Sequence, residues 1–209
     1  MEVTQIKKSP VSKTLNEVYI DDEYAFSLYE NNLKALGIKE GVALTAEALS
    51  DKIYPVIYKN ALRDALSYIA KVNCTKGQVL NKLKYKKYPD EIIEKVRAYI
   101  EESGFIDDYE YALSFAKLSV RKGKGERYIS FELLKKGVNE EIIKEVISLC
   151  CEEADLLPLA EKRLGVILKG KEKPDYKDLN KLKEYLIRQG YGYEKVSEAL
   201  ELIREKYED

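Results

Sequence analysis

The stretch Leu133-Leu134-Lys135-Lys136-Gly137-Val138, followed by Ile142, Ile143, Val146, Ile147 and Cys150, decides the fold. The apolar residues of its second half recur at three and four positions, the spacing of one helix face. Gly137 stands where the preceding helix has to stop, because glycine takes left-handed backbone without a Cβ penalty. The same order occurs twice more. Leu83-Lys84-Tyr85-Lys86-Lys87-Tyr88 precedes Ile92, Ile93, Val96, Tyr99 and Ile100, and Leu186-Ile187-Arg188-Gln189-Gly190-Tyr191 precedes Val196, Ala199, Leu200 and Ile203. The anchors Leu83, Leu133 and Leu186 lie 50 and 53 residues apart, and Ala65, Ala112 and Ala160 lie 47 and 48 apart. Two anchor sets with nearly equal spacing predict three copies of one unit.

Each copy reads as three helices. The first holds helices over 58–72, 76–86 and 90–102, the second over 108–121, 125–136 and 140–153, the third over 156–168, 175–189 and 193–206. Thr75 with Gln78, and Asp107 with Glu110, match a capping box. Pro89 suits a first helical position and Asn139 a cap. The loop Gly170-Lys171-Glu172-Lys173-Pro174 is an insertion specific to the third copy. A three-helix unit of this size buries little apolar surface alone, so stacked copies are expected to share faces in an elongated, curved array.

Ahead of the copies lies the only strand-like signal. Glu17-Val18-Tyr19-Ile20 and Tyr24-Ala25-Phe26-Ser27-Leu28 flank Asp21-Asp22-Glu23 and read as a β-hairpin, with Val3 to Ile6 as a candidate third strand. Asn31 to Leu36 reads as a short helix closed by Gly37, and Thr45 as the cap of a helix from Ala46. The expected architecture is mainly α: a hairpin segment over 1–57, then three-helix repeats over 58–104, 105–154 and 155–209.

Composition narrows the chemistry. The 209 residues include 36 Lys and Arg against 37 Asp and Glu, so no global positive charge marks a whole-chain nucleic-acid binder. Histidine is absent, which removes the commonest general base and metal ligand. Cys74, Cys150 and Cys151 lack zinc-site spacing and read as small apolar fillers. Neither a Gly-x-x-x-x-Gly-Lys-Ser/Thr loop nor a Gly-x-Gly-x-x-Gly stretch occurs. No cofactor and no catalytic residue is expected. No apolar run is long enough to cross a membrane, and the start lacks a signal-peptide core, so a cytoplasmic location is expected.

Two basic stretches are candidate partner or DNA contacts. The first carries Lys76, Lys82, Lys84, Lys86 and Lys87, interleaved by Tyr85 and Tyr88. The second carries Lys117, Arg121, Lys122, Lys124 and Arg127, with Lys135 and Lys136 following. A positive face speeds encounter with a polyanion, and a tyrosine stacks on a base or anchors a protein contact. The alternative is a solvated helix face with the tyrosines in the core. Asp107-Asp108 reads as a cap rather than a metal contact. Gly123-Lys124-Gly125 reads as a tight interhelical turn rather than a phosphate cradle.

The second copy carries a family likeness. Gly104-Phe105-Ile106-Asp107-Asp108-Tyr109-Glu110-Tyr111-Ala112, then Arg121-Lys122-Gly123-Lys124-Gly125, then Glu132-Leu133 and Lys136-Gly137-Val138 resemble the second repeat of the RecX family, regulators of the RecA recombinase. The likeness extends over three repeats from Tyr58 onward. The chain departs from the family pattern at Glu126, where a proline commonly stands, and at Cys74 and Gln78, where arginine and glutamate are frequent. The resemblance implies a non-enzymatic regulator that binds the RecA filament on DNA, and a monomer is expected. It further implies inhibition of ATP hydrolysis, strand exchange and coprotease activity, in DNA repair, recombination and the SOS response. The residues alone leave rivals open: a DNA-binding helical protein independent of RecA, a general helical-repeat adaptor, and a carboxylate-based enzyme.

Overall fold

Asp21 and Asp22 turn the chain with φ of 48° and 67°, the left-handed pair whose twist matches a hairpin. In the computed structural model, which describes residues 1–151 and 155–208, this turn joins β2 (Leu15–Ile20) to β3 (Glu23–Tyr29). β1 (Val3–Lys8) pairs antiparallel with the other edge of β2, giving the order β1-β2-β3. Three strands are therefore present where the hairpin reading made the first only a candidate. Residues 41–44 run beside β1, with the Val3 amide donating to the Val42 carbonyl at 2.9 Å and the Gly41 amide to the Val3 carbonyl at 2.8 Å. That backbone pairing covers an edge that would otherwise be open.

α1 (Glu30–Leu36) ends at Gly37, whose φ is 66°. α2 (Ala46–Ala48) starts at Thr45, whose hydroxyl accepts the Ala48 amide. It continues through a π-helical turn, Leu49–Ile53, into α3 (Tyr54–Ile69). The helix thus begins four residues before position 58, because Pro55 sits in the first turn, where no amide is needed. α4 (Lys76–Tyr85) opens with the Thr75–Gln78 capping box. α5 (Asp90–Ser103) makes Pro89 its cap position rather than its first residue. The sheet, α1 and the three helices share one core, in which Val18, Phe26 and Leu28 join Ile57, Leu83, Ile93 and Val96. This first unit spans Met1–Asp107.

The second unit, from Asp108, holds two further triplets. They are α6 (Asp108–Arg121), α7 (Glu126–Lys135) and α8 (Glu140–Cys151), then α9 (Leu157–Leu168), α10 (Tyr176–Arg188) and α11 (Tyr193–Glu208). Asn139 caps α8 by accepting the Glu141 amide at 2.7 Å. The expected end of that helix at 153, and the repeat boundary at 154, lie outside the described residues. Ala112, Ile129, Leu133 and Val146 centre one core, and Ala160, Leu164, Leu182, Leu186 and Val196 centre the next.

The repeat is visible in hydrogen bonds as well as in spacing. The amides of Tyr88, Val138 and Tyr191 donate to the carbonyls of Leu83, Leu133 and Leu186 at 3.2, 3.1 and 3.3 Å. One residue earlier, Lys87, Gly137 and Gly190 donate to Lys84, Leu134 and Ile187 at 2.8, 2.8 and 2.9 Å. This paired pattern is the Schellman ending of a helix, and it requires left-handed backbone at its penultimate position. The φ values there are 56°, 76° and 93°. The first copy alone uses a lysine at that position.

The cysteines are free thiols. Cys74 and Cys151 are buried, and burial pushes the Cys151 thiol up to about 11, which suits filler rather than nucleophile.

Candidate partner-binding surface

The first basic stretch is divided: Lys86 is half-buried and Lys87 reaches a buried acid, while Lys82 and Lys84 are exposed. Lys86 Nζ lies 2.7 Å from Asp64 Oδ2 and 3.0 Å from the Tyr29 hydroxyl. The hydroxyls of Tyr29 and Tyr88 donate to the same carboxylate at 2.7 and 2.8 Å. Burial works against the Lys86 charge, but the bonds to Asp64 and Tyr29 outweigh it and hold the ammonium above its ordinary value. Lys87 Nζ pairs with the buried Glu17 at 2.9 Å, and its carbonyl accepts the Tyr24 hydroxyl. Lys82 lies over the Tyr68 ring at 4.8 Å. Lys86 and Lys87 therefore tie α4 to the sheet, and Tyr88 is core. Tyr85, 69% exposed, and Lys84 face water.

The second stretch splits in the same way. Lys124 Nζ donates to Gln189 Oε1 at 2.7 Å and lies over the Tyr128 ring at 4.7 Å. The Gly123 and Lys124 amides donate to Val120 and Ser119, and those of Gly125 and Arg127 to Gln189 and Gly190. These four bonds occupy amides that a phosphate cradle would need. The turn serves instead as a joint between the second and third triplets. Glu126, standing where the family pattern commonly has proline, accepts the Gly192 amide at 2.9 Å at the start of α11. Lys136 lies over the rings of Tyr111 and Phe115.

Of the candidate cations, Lys82 and Lys84 on α4, Lys117 and Arg121 one turn apart on α6, Lys122 after it and Arg127 on α7 are exposed and form no ion pair among the described residues. Asp108 is the buried first residue of α6, consistent with a role at the helix start.

α7 presents a face that the spacing of its core residues hides. Ile129 and Leu133 point into the core. Arg127, Phe131, Leu134 and Lys135 fall together on the opposite side and are exposed, Phe131 at 59% and Leu134 at 47%. Lys135 lies over the Phe131 ring at 5.3 Å, and Arg127 over Tyr193, itself 56% exposed, at 5.5 Å. Aromatic and aliphatic anchors beside arginine are the composition of a protein-binding patch. Phe131 and Leu134 are absent from the sequence-based candidates. Their signal was available as two large apolar residues outside the helix's 3–4 spaced set.

Among the described residues, no group of three or more Cys, Asp or Glu side chains is placed to hold a metal ion. No helix among them is long and apolar enough to cross a membrane.

Fold and surface together define a helical-repeat protein: a small antiparallel sheet fused to the first of three three-helix units. Residues 107–147 match the family model described as RecX, second three-helix domain. The chain is 32% identical over 206 residues to regulatory protein RecX of Clostridium acetobutylicum, covering 96% of this chain and 95% of that one. It is 31% identical to regulatory protein RecX of Caldanaerobacter subterraneus subsp. tengcongensis, covering 97% and 100%. A crystal structure of regulatory protein RecX superposes over 98% of both chains with a TM-score of 0.63 at 23% identity. RecX from Lactobacillus salivarius covers 71% of this chain and 97% of its own, with a TM-score of 0.61 at 19% identity. The chain belongs to the RecX family of regulatory proteins.

Proposed function

We propose that this protein is a non-enzymatic, monomeric, cytoplasmic regulator that binds the RecA nucleoprotein filament and restrains its ATP hydrolysis, strand exchange and coprotease activity. The observation that carries the reading is the α7 face. It sets exposed Phe131 and Leu134 between Arg127 and Lys135 on a helix whose other side is fixed in the core. Such a face contributes desolvated apolar contact at its centre and charge at its rim. Lys117, Arg121 and Lys122 supply further positive charge, which favours a polyanionic filament. Membership of a family of regulatory proteins supports the reading.

The test is RecA-catalysed ATP hydrolysis on single-stranded DNA with the protein titrated in below one copy per RecA. A falling rate is expected. An unchanged rate at every ratio would end this reading.

A further inference from the structure

Two adjoining grooves open along α10 and α11 in the third triplet, of about 300 and 410 Å³, and they share Tyr176, Leu179 and Arg204. Tyr176 is 77% exposed, so its ring is not needed by the core. Lys183 and Arg204 line the first groove, and Lys173 and Arg204 the second. These three cations form no ion pair or side-chain hydrogen bond among the described residues.

Their neighbours differ. Lys171 lies 3.2 and 2.7 Å from Asp175 and Asp178, and Lys181 lies 3.6 Å from Asp178. The acids at the start of α10 are thus occupied by Lys171 and Lys181. The unmatched charge sits on the side chains that border the grooves. Asn180 and Ser197 add hydrogen-bonding groups to the wall, and among the described residues Glu201 is the only acid lining either groove.

We infer that these grooves, between the exposed ring of Tyr176 and the cations Lys173, Lys183 and Arg204, form a subsite for single-stranded nucleic acid. One unpaired base stacks on Tyr176, and the flanking phosphates lie against Lys183 and Arg204. An aromatic face beside cations that track a backbone is the chemistry by which unpaired strands are held with little sequence preference. A duplex buries its base faces in its own stack and has none to offer Tyr176. An acidic peptide satisfies the cations but gives the ring no planar partner. The subsite is independent of α7 and of any recombinase, so it survives or fails apart from the proposed filament function.

The experiment is fluorescence anisotropy of a labelled oligothymidylate of about 20 nucleotides, with the full chain at low salt and no recombinase present. Tyr176→Ala is expected to weaken binding about tenfold, while Tyr176→Phe keeps the ring and the affinity. Lys183→Ala with Arg204→Ala is expected to weaken binding and to flatten its salt dependence. Glu201→Gln, which removes the groove's own negative charge, is expected to tighten binding about threefold. Circular dichroism checks that each variant keeps its helices, as the replaced side chains are not core residues. Unchanged affinity of Tyr176→Ala, equal binding of a duplex of the same length, or equal competition by polyglutamate would each overturn the assignment.

Discussion

The amide of Gly125 donates to the carbonyl of Gln189 at 2.9 Å, and with the bond from the Arg127 amide to the Gly190 carbonyl at 3.0 Å it brings the backbones of the second and third triplets into contact. A Cβ on Gly125 would sit 2.5 Å from the carbonyl carbon and oxygen of Gly190, and one on Gly190 would sit 2.5 Å from the Tyr128 nitrogen. Glycine is required at both places by the approach of two main chains. At Gly190 the left-handed backbone of the helix ending requires it as well. The amides of the glycine-rich turn are divided: Gly123 and Lys124 donate to the end of α6, and Gly125 to the neighbouring repeat.

Gly125→Ala is therefore expected to destabilise the second unit by about 3 kcal/mol, since main chain cannot yield as a flexible side chain does. Gly170→Ala is the comparison. Its φ is 95°, but nothing lies within 4 Å of the added carbon, so only the backbone strain of about 1 kcal/mol applies. Urea unfolding of the two variants measures the difference. Equal losses would show that the close approach carries no energetic weight.

Asp64 accepts from Lys86, Tyr29 and Tyr88 at 2.7–2.8 Å. Asp64→Ala leaves an ammonium and two phenols without their acceptor and is expected to cost about 2–3 kcal/mol. Lys84→Ala, on the exposed face of the same α4, is expected to stay within about 0.5 kcal/mol. Chemical denaturation of both variants, monitored by far-UV circular dichroism, checks the contrast.

The pH dependence has a definite sign. Burial pushes Tyr24 and Tyr191 from 10.0 up to about 12. Burial and Asp64 raise Tyr88, and Lys86 is raised from 10.5 by its partners against burial. A group raised in the folded state contributes stability that is complete below its unfolded value and is lost as pH rises through the folded one. Unfolding free energy should therefore hold up to pH about 10 and fall between about 10 and 12. Denaturant titrations across that window read it directly, and a flat profile would contradict the buried hydroxyl network.

Phe131→Ala with Leu134→Ala is expected to weaken inhibition of RecA at least tenfold, about 1.4 kcal/mol or more, without loss of helicity. Both side chains already face water, so removing them leaves the core packing intact.

Replacing Lys117, Arg121 and Lys122 by alanine is expected to weaken filament binding mainly at low salt and to reduce its salt dependence. Lys124 is left in place in that variant, because its ammonium holds Gln189 and its loss would disturb the repeat junction. A salt titration of filament affinity separates this charge effect from the α7 contact, which responds little to salt.

Much of the fold was legible along the chain. The three triplets, the hairpin turn at Asp21-Asp22, the Thr75 capping box and the helix endings at Gly137 and Gly190 each depend on residues a few positions apart. Helical spacing, caps and left-handed turns are short-range properties, so the order of residues records them directly. The start of α3 lies four residues ahead of the expected position, since Pro55 stands in a first turn that tolerates it.

The fate of the cations was not legible, because it depends on long-range contacts. Lys84, Lys86 and Lys87 look alike along the chain. Yet Lys86 meets a carboxylate 22 residues away and Lys87 one 70 residues away, while Lys84 meets water. Which lysines are internal ties, which glycine faces another backbone, and which apolar residues of α7 and α10 stay outside were settled only by packing. The sequence by itself determined the helices, their caps and their threefold repetition. The tertiary structure decided which side chains remain free to meet a partner, since exposure depends on neighbours that arrive from elsewhere in the chain.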